Sequence, residues 1–376
     1  LIKSRSWRPQ GARVLVGTVV GVLGAALAGC GLQGPESVPK SAGASVGTAP
    51  PIASAQVAAD PRAWQGPVTA GVQDPGVDPV VTSPEPRLPA TLTDAQGTKV
   101  TVEDTSRVLA LDLHGTLART VFELGLGDHL VGRDISTQFS EAAELPLVTG
   151  NGHELNGEAI LDLDPTLIIT DTSLGPWDVV LQMRESGIPV VVVESSRSLD
   201  NIDDITAMTA AALGVPEAGE LLADRVAGEV ETVQAEIEAV APADERQRLR
   251  TVFLYVRGNA GVYYMFGKGS GADDLIDAVG AYDVAEEIGW AGMRPVTAEG
   301  LVAAAPELVV MMSGGLESTG GVEGLLEKVP ALAITPAGEN KRFVDIEDSL
   351  VLGYGPNTAA VLNALAVAVH APEELA

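Results

Sequence analysis

The chain of 376 residues is poor in several things at once: it has one cysteine, four histidines, aromatics at only 4%, and 23 basic residues against 51 acidic ones. A single cysteine, Cys30, excludes any disulfide within the chain. A formal charge of -28 argues against nucleic acid or an anionic lipid surface as partner, because both would be repelled. No His-Glu-x-x-His helix is present, and the glycine cluster Gly267 to Gly271 (GKGSG) lacks the terminal pattern of a phosphate-cradling loop and reads as a turn. Nothing here points to an enzyme.

The N-terminus reads as an export signal. Lys3, Arg5, Arg8 and Arg13 precede an apolar run from Val14 to Ala28, too short to span a membrane comfortably. The following Leu27-Ala28-Gly29-Cys30 resembles the lipobox of bacterial lipoproteins, which implies removal of residues 1–29, lipidation of Cys30 and an extracytoplasmic chain held at the outer face of the membrane. Processing there removes four basic residues and leaves a charge of -32. Residues 30–85 are rich in Gly, Pro, Ala and Ser, with Trp64 as their only aromatic. That composition predicts a disordered leash with a reach of about 40 Å.

From residue 86 onward, apolar strand-like runs alternate with helical patterns, which predicts an α/β protein. An internal repeat sets the architecture. Leu155 to Thr170 (LNGEAILDLDPTLIIT) matches Val296 to Met311 (VTAEGLVAAAPELVVM) at an offset of 141, pairing Glu158 with Glu299 and Pro165 with Pro306. Arg107 to Gly115 matches Arg250 to Gly258 at an offset of 143. Between the copies, Leu221, Leu222, Val226, Val230, Val233 and Ile237 recur near helical spacing, as one long helix requires. The expected layout is an N-terminal lobe over 86–215, a connecting helix over 216–241 and a C-terminal lobe over 242–376, both lobes Rossmann-like with a ligand cleft between them. Two lobes on one rigid helix resemble the helical-backbone class of substrate-binding proteins that serve ABC importers of iron chelates, haem and cobalamin.

Alternation along Val252 to Arg257 sends Phe253, Tyr255 and Arg257 to one face, and Gly258 ends the strand where α/β sheets open onto ligands. The repeat offsets pair His153 with Arg294, Asp112 with Tyr255 and His114 with Arg257, so these six are the cleft candidates. A tyrosinate suits ferric iron, and imidazole is a common axial ligand of haem. Arg257 would support the phenolate charge, Arg294 would pair with a propionate, and Tyr263, Tyr264, Met265 and Phe266 would cover the ring.

The stretches GNGHELNGEAILDLDPTLIITD and LYVRGNAGVYYMFGKGSGADDLI resemble the haemin-binding lipoproteins (HmuT type) of actinobacterial haem-uptake ABC transporters. The resemblance implies ferric haem b as cargo, with His153 and Tyr255 as axial ligands and Arg257 two residues beyond the tyrosine. It also implies docking of Glu158 and Glu299 on arginines of a permease dimer, by a monomeric binding protein. His114, Arg294, Tyr263 and Met265 complete the expected pocket. A ferric siderophore, and after it cobalamin, are the alternative cargoes. His129 and His370 read as structural.

Overall fold

In the computed structural model, which describes residues 47–376, the two copies of the repeat fold alike. Each gives a short helix (Gly157–Asp162 and Ala298–Ala304), a turn, and a buried strand (Leu167–Thr170 and Leu308–Met312). The likeness extends to the backbone: Asp164 and Ala305, each just before the repeat's proline, take positive φ of 44° and 43°. That left-handed residue ends the helix so that the chain can turn back into the sheet.

The N-terminal lobe is built on three parallel strands in the order Val108–Leu111, Leu167–Thr170, Val190–Val192. Parallel strands are covered on both faces, which explains their unbroken apolar runs. Leu109, Leu111, Ile168, Val190 and Val192 pack against Ile160, Val180 and Met183 of two helices, while Val108, Ala110, Leu167 and Ile169 face the main core. The C-terminal lobe holds a seven-stranded mixed sheet, in which Arg250–Arg257 is flanked by parallel Leu308–Met312 and antiparallel Val262–Phe266, with Met293–Pro295 at the edge.

The connecting helix is Pro216–Val240, opened by proline at its first position, and its 25 residues extend about 37 Å. Leu222, Val226, Val230, Val233 and Ile237 are its buried stripe, whereas Leu221, expected on that stripe, faces solvent. Gly219 sits where the helix crosses Ile202–Ala212: a Cβ there would lie 2.5 Å from the Ala210 Cβ, so only glycine permits the approach.

The leash expected over residues 30–85 is corrected for its described part, 47–85. Ala49, Ile52, Val68 and Ala70 are buried in the main core, and Val68–Thr69 adds a parallel strand beside Phe343–Ile346. The segment then reaches the other lobe, where Asp74 pairs with Arg119 (3.1 Å) and the Val80 N–H donates to Glu123 O (2.9 Å). It is a strap over both lobes. Its few apolar residues could not build a core of their own, but they suffice to complete one that the lobes already provide. The run Val14 to Ala28 and Cys30 lie outside the described residues, among which no helix is long and apolar enough to cross a membrane.

Candidate ligand-binding cleft

The strand Arg250–Arg257 runs to the cleft and ends there with Tyr255 and Arg257 on one face, both partly exposed. The Tyr255 ring stacks on Phe266 (centroids 6.2 Å apart, 22° between planes), and Phe266 packs on Phe253 (5.2 Å). The Arg257 guanidinium carbon lies 4.6 Å from the Tyr255 ring centroid, within cation–π range. Its Nη2 donates to Asp348 Oδ2 (3.1 Å) and its Nη1 to Val256 O (3.0 Å). Asp348 in turn accepts from the Gly314 N–H (2.8 Å).

The register of the neighbouring strand corrects part of the expected pocket. Residues directly opposite in an antiparallel pair share a face. Tyr264 lies opposite Tyr255, and Phe266 opposite Phe253, so both belong to the cleft face. Tyr263 and Met265 lie opposite Val256 and Leu254 and pack into the core on the other side. Arg294, opposite Met265, is on that far face too, exposed at the sheet edge. The residues of the edge strand on the cleft face are Pro295, opposite Tyr264, and Met293, which stands opposite Phe266 and is 55% exposed.

From the other lobe, His153 is exposed in the turn between two short strands, Thr149–Gly150 and Glu154–Leu155, with its Nδ1 3.5 Å from Ser136 Oγ. Partial desolvation and the positive charge of Arg257 hold its imidazolium below the usual histidine value, and the Asp348 carboxylate opposes them. The charges of Arg257 and Asp348 are thus felt at His153. His114 is pushed down to about 4, first by desolvation, against the attraction of Asp112. It lines a cavity of about 150 Å³ with Thr116, Phe139, Leu275, Glu347 and Tyr354.

Asp112, expected in the cleft, is fully buried beneath it. One of its oxygens accepts from the Leu117 N–H (3.0 Å) and the other meets Arg197 Nη2 (3.4 Å), which also pairs with Asp171 (2.8 Å). Asp112 and Asp171 thus share one guanidinium, and Asp134 joins the cluster from the side, accepting from the Asp112 N–H (3.0 Å). Burial and the Asp112 charge push Asp134 up to about 7 and Asp171 up to about 6.

Glu158 and Glu299 each stand exposed in the first turn of a repeat helix, capped by Asn156 and by Thr297. Among the described residues neither forms an ion pair. Three positions on, Leu161 and Val302 are also exposed, so the two lobes present matching acid-plus-apolar pairs. His129 and His370 are structural, their ring nitrogens meeting Thr105 O (2.6 Å) and Val279 O (2.8 Å). GKGSG is a turn before the helix Ala272–Ala278.

A family described as periplasmic binding protein matches residues 113–350. Among solved structures, the haem-binding protein HmuT is 42% identical, covering 83% of this chain and 99% of its own, with a TM-score of 0.77. It has also been solved with a histidine, a tyrosine, or an arginine two positions beyond the tyrosine replaced by alanine. The periplasmic haem-binding protein RhuT from Roseiflexus sp. RS-1 is 33% identical, covering 71% of this chain and 98% of its own, with a TM-score of 0.64. The ABC transporter substrate-binding lipoprotein YvrC of Bacillus subtilis (strain 168) is 23% identical over 288 residues, 75% of this chain and 86% of the relative. This chain belongs to the periplasmic binding protein family, and its two α/β lobes on one long helix are the fold of HmuT.

Proposed function

We propose that this protein captures ferric haem between its lobes and hands it to an ABC importer, binding without turning it over. The observation that carries the reading is the Tyr255–Arg257 pair at the end of its strand, with His153 exposed on the other lobe and within reach of the Arg257 charge. A phenolate and an imidazole on opposite walls are a ligand set for the two faces of one iron porphyrin. Tyr264, Phe266 and Met293 offer the flat, apolar wall a macrocycle needs. The relative solved with a tyrosine, an arginine two positions beyond it, and a histidine replaced has the same three residue types at issue.

The lobes in this reading are 86–215 and 242–376, joined over 216–241, and the protein acts as a monomer. Glu158 and Glu299 dock it on a permease dimer, whose twofold symmetry suits two matched patches. The lipoprotein name of the Bacillus subtilis relative supports an extracytoplasmic chain tethered through Cys30.

The test is a visible-absorption titration of the purified protein with haemin, beside Tyr255→Phe and His153→Ala. Saturable uptake with a ferric spectrum altered in either variant is expected. A linear free-haemin response in all three would end the haem reading and favour a siderophore cargo. In reconstituted importer, Glu158→Ala with Glu299→Ala should abolish haem-dependent ATPase stimulation while haem binding stays intact; unchanged stimulation would remove them as docking residues.

A further inference from the structure

We propose that Asp348 is a positioning residue for haem capture: it fixes the Arg257 guanidinium beside the Tyr255 phenol before the ligand arrives. The inference rests on the haem reading of the cleft. Three contacts hold Arg257, namely Asp348 Oδ2 (3.1 Å), the Val256 carbonyl (3.0 Å) and the face of the Tyr255 ring (4.6 Å from the guanidinium carbon). Only the first is a side chain brought in from a distant segment, 91 residues along the chain.

Asp348 is itself held. Its Oδ1 accepts from the Gly314 N–H (2.8 Å), and a Cβ on Gly314 would lie 3.0 Å from the carboxylate, so glycine is what lets the acid come this close. The loop that carries Asp348 is constrained further on. Leu352 and Tyr354 both take positive φ, 61° and 43°, the Tyr354 hydroxyl donates to Gly271 O, and the Gly353 carbonyl accepts from Thr116 Oγ1 of the other lobe (3.1 Å). Two non-glycine residues in the left-handed region persist only where the surroundings over-determine them. The carboxylate is therefore presented from a fixed loop where the lobes meet.

Magnitudes separate a positioning role from a stabilising one. The Arg257 and Asp348 side chains are 33% and 36% exposed, so solvent screens the pair and its loss should leave folding nearly unchanged. A free arginine is rich in rotamers, and ordering it only on binding would weaken haem affinity by about three- to tenfold.

The experiment compares ferric haem complexes of the wild-type protein with Asp348→Ala, Asp348→Asn, Arg257→Ala and the Asp348→Ala/Arg257→Ala double variant. Haem dissociation should rise about three- to tenfold in Asp348→Ala. Its ferric absorption and electron paramagnetic resonance spectra should move in the direction of Arg257→Ala, and the double variant should be no worse than Arg257→Ala alone. Asp348→Asn, which keeps an acceptor oxygen for Arg257, should recover part of the loss. Spectra and dissociation unchanged in both Asp348 variants, while Arg257→Ala and Tyr255→Phe differ from wild type, would overturn the inference and leave the haem site standing. Fully additive losses in the double variant would overturn it equally. A Tyr255→Phe complex identical to wild type would instead remove Tyr255 from the iron, and the inference with it.

Discussion

Tyr255 and Arg257 are legible in the sequence because a strand's period of two leaves no choice of face once the neighbouring apolar residues are known. The repeat offset misleads at Arg294, and nearness to the Tyr255 strand misleads at Tyr263 and Met265: both signals fix the place of a residue in its lobe, whereas the direction of its side chain follows from the register with Val262–Phe266. Asp348 has no sequence signal, since it meets Arg257 only through a loop folded back from a distant strand. His114 makes a prediction at this scale. Its folded value of about 4 lies below the ordinary 6.5, so between those values the unfolded chain binds the extra proton and acidification destabilises the fold. Asp134 and Asp171 run the other way. Raised to about 7 and about 6 from 3.8, they favour the folded state at low pH and lose that contribution as pH rises through those values. Replacing His114 by Gln removes only the first effect. The melting temperature of His114→Gln should therefore fall less than that of wild type between pH 6.5 and 4, and identical profiles would contradict the assignment.

Elements were easier to read than directions. The repeat helices, their buried strands and the long connecting helix follow from periodicity, which survives because each buries a stripe against a neighbouring layer. What periodicity leaves open is how closely two helices approach. The connecting helix carries two glycines, Gly219 and Gly228, that look equivalent in sequence and are not so in the fold. Gly219 abuts the Ala210 Cβ, while nothing lies within 4 Å of a Cβ at Gly228. Alanine is a better helix former than glycine by about 1 kcal/mol. Gly228→Ala should thus stabilise the protein by about 0.5–1 kcal/mol in chemical denaturation. Gly219→Ala should destabilise it by about 1–3 kcal/mol, because the crowding of two packed helices exceeds the propensity gain. Equal effects at the two positions would mean that the helices adjust freely.

At the scale of the whole molecule, composition misjudged residues 47–85, and the reason is physical. Disorder follows from a segment's inability to bury its own apolar surface, but this segment borrows surface from two lobes that are already folded. Ile52 and Val68 enter the main core, Val68–Thr69 extends the C-terminal sheet, and Asp74 closes an ion pair with Arg119, whose side chain is buried in the N-terminal lobe. The strap then continues to the Gly214 carbonyl, which accepts from the Arg87 N–H (2.8 Å) just before the connecting helix begins. Two points of attachment on each side of a cleft restrain the lobes in addition to the helix. Large closure on haem would have to break or stretch the strap, so the fold favours a small movement. A chain starting at residue 86 loses the burial of Ile52 and Val68, worth about 1.5–3 kcal/mol each, together with the Asp74 contact to Arg119, which keeps only its buried partner Glu123 (2.8 Å). Compared with a chain starting at residue 47, it should melt several degrees lower. Small-angle scattering should also register a larger compaction on haem binding in the shorter chain. Equal melting temperatures and equal compaction would show that the strap merely lies on the surface and that the connecting helix alone sets the distance between the lobes.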